Sequence, residues 1–171
     1  GTDVLGMDDG LQYADLTISQ GTGDNASDTI ISSGSEYLAI LQGISVSALS
    51  GADFMSTSTS SQTFTGDNAD NTYIGGAGND TFSGNAGSDT IYAHSGDDTI
   101  NVNNKSGAYA DIINGGSGTD GLVISYSGVN SITDFSDIDY NSSTSTLTFT
   151  DTNGGTISAQ GMETFTIGST A

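Results

Sequence analysis

GDNADNTYI (66–74), GGAGNDTFS (75–83), GNAGSDTIY (84–92) and AHSGDDTIN (93–101) are four successive nine-residue lines that align without a gap. VNNKSGAYADIIN (102–114) is the same unit with four extra residues, and GGSGTDGLV (115–123) returns to the full pattern. The sixth position reads Asn71, Asp80, Asp89, Asp98, Asp111 and Asp120, while the eighth reads Tyr73, Phe82, Ile91, Ile100, Ile112 and Leu122. Two registers recur together, an oxygen-bearing side chain and then a large apolar one. That is the mark of a repeat architecture.

A six-residue turn rich in Gly admits positive φ, and the three residues after it form a short strand with one side chain inward. Each line is therefore half a coil. Two lines complete an 18-residue turn of a flattened spiral, so that Phe82 and Ile91 enter the core from opposite sheets. Stacking at about 4.8 Å brings Asp80 towards Asp98 and Asp120 on one edge, and Asn71 towards Asp89 and Asp111 on the other.

Bare carboxylates this close repel by about 1 kcal/mol per pair in water, and by several times that where water is partly excluded. A hard divalent ion between neighbouring turns reverses the sign. Carboxylates and turn carbonyls together supply the six to eight oxygens that Ca2+ takes, so several Ca2+ ions are the expected cofactor. The small inward residues bury too little to close the coil alone, which couples ion binding to folding.

These lines resemble the RTX repeat family of secreted bacterial toxins, proteases, lipases and adhesins, most closely over 75–101 and 115–123. The resemblance implies an all-β fold, a right-handed parallel β-roll (β-solenoid) with flanking β-rich segments. It also implies calcium ligands, which in that family are the first and third carbonyls and the aspartate of one turn, joined by the second and fourth carbonyls and the aspartate of the next turn on that edge. Carried over, the turns Gly75, Gly76, Ala77 and Gly78 with Asp80, and Ala93, His94, Ser95 and Gly96 with Asp98, share an ion. The latter turn shares another with Gly116, Gly118 and Asp120. On the opposite edge the corresponding set is Gly84, Asn85, Ala86, Gly87 and Asp89, facing Asn71 on one side and Asp111 on the other. That edge departs from the family pattern. Asn71 replaces the acid, Asp67 and Ala69 replace glycines, and the insertion around Lys105 and Tyr109 bulges the join between Asp89 and Asp111.

Three segments are expected: a β-rich flank at 1–65, the roll at 66–123 and a strand-rich spacer at 124–171. In the first, GDNASDTII (23–31) reads like another unit, with Asp28 as ligand and Ile30 as its apolar partner, and GTDVL reads as the tail of one, with Asp3 as ligand and Leu5 inward. The natural protein is therefore expected to extend upstream. EYLAILQGISVSALSGADF (36–54) combines a strand-like run with a helical turn, and STSTSSQTFT reads as a polar linker or an irregular coil. After Leu122, five alternating segments predict strands that either continue the spiral or form a small sandwich, and FTIGSTA reads as the approach to a further repeat.

Composition limits what such a chain does. One basic residue against 21 acidic ones gives a formal charge of -20, which disfavours nucleic acid and anionic membranes as partners. Cysteine is absent, which removes disulfides and thiolate chemistry. No apolar run of about 18 residues marks a membrane span, and no basic segment precedes an apolar stretch as in a signal peptide. HExxH and GxSxG are missing, His94 is the only histidine, and the carboxylates recur at a repeat period rather than as an acid/base pair. The expectation is a non-enzymatic calcium-binding module, secreted or at the bacterial cell surface, exported unfolded by type I secretion machinery. The alternative is a calcium-dependent adhesin that binds cell-surface polysaccharide through exposed tyrosines.

Overall fold

The computed structural model describes residues 4–8 and 11–168, and among these the regular structure is strand, with single 3-10 turns and no α-helix. Asp3 and the last residues of FTIGSTA lie outside the described residues. β1 (Leu5–Met7) pairs in parallel with a strand near residue 54. Between them β2 (Leu16–Gln20), β3 (Thr29–Ser33) and β4 (Glu36–Leu41) form an antiparallel meander, followed by β5 (Phe54–Ser56), the partner of β1. The turn between β3 and β4 carries Gly34 at φ 57°, a left-handed conformation that favours glycine. The expected helical turn in 36–54 is two short 3-10 turns, Val46–Ala48 and Gly51–Asp53.

From here the chain winds. β6 (Thr63–Thr65), β7 (Thr72–Ile74), β8 (Thr81–Ser83), β9 (Thr90–Tyr92), β10 (Thr99–Asn103), β11 (Ala110–Asn114) and β12 (Gly121–Ser125) alternate between two parallel stacks. One stack runs β6, β8, β10, β12, and the other runs β7, β9, β11. This is the β-roll expected from the nine-residue lines.

The segment after it splits its strands between roles. β13 (Phe135–Asn141) and β14 (Thr146–Asp151) make an antiparallel hairpin that packs on β15 (Thr156–Gln160), while β15 lies in parallel on β11 and β16 (Thr164–Ile167) lies in parallel on β12. The two sheets of the roll thus pass into the spacer without a break. At the other end, Ser56 N–H donates to the Gly75 carbonyl and Ala77 N–H to the Ser58 carbonyl, so the serine-rich stretch is itself a turn of the spiral rather than a linker.

Both stacks point apolar side chains into one narrow core. Phe64, Phe82, Ile100 and Leu122 form one inward row, with the Phe64 and Phe82 rings stacked at 4.7 Å; Ile91 and Ile113 face it. Each such side chain contributes roughly 1.5–3 kcal/mol by burial. The expected inward residue Ile112 is instead 53% exposed and Ile113 is 1% exposed. The register sets this, because Ile113 pairs with Ile91, which keeps the two-residue offset from Asp111 that every other line has. A smaller cluster of Met7, Ile31, Phe54 and Ile74 joins the meander to the roll.

Candidate metal centre

Strand stacking places one turn directly above another on each edge. In three of these turns, those beginning at Gly84, Ala93 and Gly115, the second and fourth positions are left-handed: Asn85 (φ 62°), His94 (φ 75°) and Gly116 (φ 98°) at the second, Gly87 (φ 92°), Gly96 (φ 122°) and Gly118 (φ 142°) at the fourth. A Cβ at Gly118 would strike the Gly96 carbonyl, and one at Gly96 would strike the Gly78 carbonyl. Glycine there lets carbonyls of successive coils approach. The third-position amides tie the turns together, Ser95 N–H donating to the Gly76 carbonyl (3.0 Å) and Ser117 N–H to the His94 carbonyl (2.7 Å). A carbonyl has two lone pairs, so Gly76 and His94 each retain one for a further partner. The His94 ring does no work at the edge, since its Nε2 lies 2.8 Å from the Phe54 carbonyl and pins the roll to β5.

The aspartates form a ladder. Oδ1 of each accepts the backbone N–H of the sixth-position residue one coil earlier: Asp80 donates to Asp98 (2.7 Å), Asp98 to Asp120 (2.9 Å), Asn71 to Asp89 (3.1 Å) and Asp89 to Asp111 (2.9 Å). The first ladder extends past the recognised lines. Gln62 N–H donates to Asp80 (2.8 Å), and Asp120 N–H donates to Oε2 of Glu163 (2.7 Å). Both additions carry the signal of the repeat, a polar side chain two positions before an inward-register Phe, in Gln62–Phe64 and Glu163–Phe165. A second, outer ladder runs through the fifth position, where Asp97 N–H donates to Asn79, Ser88 N–H to Asp70, and Thr119 N–H to Asp97. Its sequence signal is a short oxygen-bearing side chain at the fifth place of each of those lines.

Oδ2 separates the two edges. On the Asp80–Asp98–Asp120 edge, Asp80 Oδ2 accepts the Gly76 N–H, but Oδ2 of Asp98 and of Asp120 are buried and have no hydrogen-bond partner. Burial raises the Asp98 carboxyl to about 6; the Asp80 N–H opposes the rise and the charges of Asp120, Asp80 and Asp97 add to it. Asp120 is also raised by burial, with the Asp98 N–H opposing and Glu163 adding. On the opposite edge the buried Lys105 ammonium donates to Asp89 Oδ2 (2.7 Å), Asp111 Oδ1 (2.9 Å) and the Gly87 carbonyl (2.9 Å). Burial raises Asp89 and Asp111, and the lysine pulls both back.

The first edge fits a hard cation. Two partnerless carboxylate oxygens, carbonyls with free lone pairs and glycines that leave no Cβ in the way are the donor set Ca2+ takes. No three His, Asp or Glu side chains converge among the described residues, so backbone carbonyls must supply much of any ion's shell. If the ligand pattern of the resembled family carries over to this edge, the residues that would hold it are Gly75, Ala77 and Asp80 with His94, Gly96 and Asp98, and Ala93, Ser95 and Asp98 with Gly116, Gly118 and Asp120. Gly84, Asn85, Ala86, Gly87 and Asp89 do form a turn on the other edge, but it faces Lys105.

Asp28 stands apart from both edges. Its carboxylate accepts the Gly43 N–H (2.8 Å), and β3 that follows it has antiparallel neighbours on both sides, so the coil expected at 23–31 does not form. A parallel strand one coil away, needed to stack a second turn on Asp28, has no place in that meander.

The sequence profile of the RTX calcium-binding nonapeptide repeat matches residues 65–100 and 105–123, in four copies. No curated protein and no solved structure matches the chain. The residues the profile matches hold all the ladder aspartates of both edges, and the stretches 65–100 and 105–123 carry RTX calcium-binding nonapeptide repeats, wound as a β-roll.

Proposed function

We propose that this chain is a structural calcium-binding module of an exported bacterial protein, whose roll completes its folding when Ca2+ fills the Asp80–Asp98–Asp120 edge. The observation that carries this is the pair of buried, partnerless oxygens on Asp98 and Asp120. Removing a carboxylate from water without a counter-charge is costly, so the edge favours the folded state only once a cation is present. Ligands that converge only in the folded coil make ion affinity and folding free energy the same quantity.

The same coupling supports an extracellular compartment. Extracellular calcium modules work at about 10⁻⁴–10⁻³ M, far above cytoplasmic sensor levels, so a chain tuned to that range stays unfolded inside the cell. An unfolded, strongly acidic chain suits passage through a type I secretion channel, with folding outside. A structural rather than a catalytic role is favoured because the edge carboxylates recur at the repeat period, each tied through Oδ1 to the backbone of the coil before it. Circular dichroism during a Ca2+ titration from an EGTA-stripped start, with Mg2+ as control, tests the reading. A cooperative gain of β-structure specific for Ca2+ is expected; a β spectrum unchanged by removing and restoring calcium would refute it.

A further inference from the structure

We propose that Lys105 is a built-in cation that takes the place of calcium between Asp89 and Asp111, so that this edge binds no ion. The inference rests on the calcium reading of the opposite edge. Three observations carry it. The ammonium touches two carboxylates from successive coils and one turn carbonyl, Gly87, the same kinds of oxygen that the repeat offers to an ion. It is almost fully buried, with 1% of the side chain exposed, and three donors match three acceptors. Finally, it is the one basic residue of a chain with 21 acidic ones, and it lies within the four-residue insertion.

The insertion explains how the side chain arrives. Asp89 and Asp111 are 22 residues apart, against 18 for Asp80 and Asp98, yet the ladder bond between them is kept. The extra residues loop out, turn at Asn104 (φ 53°) and Gly107 (φ 70°), and send Lys105 back between the coils. Tyr109 forms the floor, its ring centroid 5.2 Å from Nζ. Its hydroxyl bonds Tyr126, which in turn donates to Asp151, so the floor is anchored in the spacer. An ion at this place would have to displace a charge held by both carboxylates. Asp89 Oδ2 is the oxygen that a site with Asn71 would also need, so one lysine closes both positions.

Calcium bound per chain, measured by equilibrium dialysis for native protein and for Lys105→Gln, tests the proposal. The variant is expected to bind at least one ion more than native. Equal, non-zero counts would overturn the inference and leave the calcium reading standing, and no ion in either protein would overturn both. A second measurement needs no variant. In native protein, acylation of Lys105 read by peptide mass spectrometry is expected to be slow at saturating calcium, where the roll is folded and the ammonium buried, whereas rapid labelling at saturating calcium would mean that the ion expels the ammonium and would overturn the proposal.

Discussion

The two edges of the roll have the same ladder and different neutralisation. Along one, Asp98 and Asp120 keep buried oxygens without partners; along the other, Lys105 meets Asp89, Asp111 and Gly87 with three hydrogen bonds. In the folded roll, strand pairing and the inward apolar rows fix the coil spacing, and that spacing brings the carboxylates of both edges together. What cancels the charge is encoded separately. One edge leaves it to the solvent's ions, and the other carries it in an inserted loop.

That difference is most exposed in calcium-free buffer. Lys105→Met leaves two buried carboxylates without their counter-charge and, with sucrose added so that the calcium-free native roll is folded, is expected to cost about 3–5 kcal/mol in urea denaturation, with much of the loss recovered when calcium is added. Asp98→Asn under the same conditions should cost less than about 1 kcal/mol, since the amide oxygen still accepts the Asp80 N–H and the repulsion from Asp80 and Asp120 is gone. Equal losses in the two variants would erase the distinction between the edges.

With calcium present the order reverses. Asp98 stands between both ion positions on its edge, so Asp98→Asn is expected to raise the calcium midpoint of folding by about tenfold or more, equivalent to about 1.4 kcal/mol. A midpoint within twofold of native would show that Asp98 is not a ligand.

Acidity should imitate calcium on the open edge. The Asp98 carboxyl rises from its ordinary value to about 6 in the fold, so between about pH 4 and 6 the folded chain holds a proton that the unfolded chain has released. Stability of the calcium-free protein is therefore highest at the low end of that window and falls as pH rises through 6. Thermal unfolding in EGTA at pH 4.5 and pH 7, with the same sucrose present, checks this, and a higher midpoint at pH 7 would contradict it.

The smallest effect belongs outside the roll. Asp28→Asn retains an oxygen for the Gly43 N–H and should change stability by less than about 1 kcal/mol while leaving the calcium midpoint unchanged.

Most of the roll was legible because its two registers are local, a polar residue and an apolar one two places on. The same offset could have recovered Gln62–Phe64 and Glu163–Phe165, which lack glycine-rich turns. Around residues 56–60 serine hydroxyls accept neighbouring amides, Ser58 N–H to Ser56 Oγ and Ser60 N–H to Ser58 Oγ, and so hold a turn that glycine holds elsewhere. The same offset, counted from Asp111, leads to Ile113 rather than Ile112, because the insertion lies wholly before Asp111. GDNASDTII imitates a line in composition, but its neighbours β2 and β4 capture it as an antiparallel strand. Lys105 was visible as the lone cation, whereas its destination depends on a long side chain returning across a loop, which no spacing rule encodes.

The central claim is that the edges are unequal in calcium. Its most direct test is equilibrium dialysis of Asp98→Asn beside Asp89→Asn, with bound calcium counted by atomic emission at saturation of the native protein. The account predicts that Asp98→Asn loses bound calcium while Asp89→Asn keeps the native count. A loss in Asp89→Asn as large as that in Asp98→Asn would contradict it.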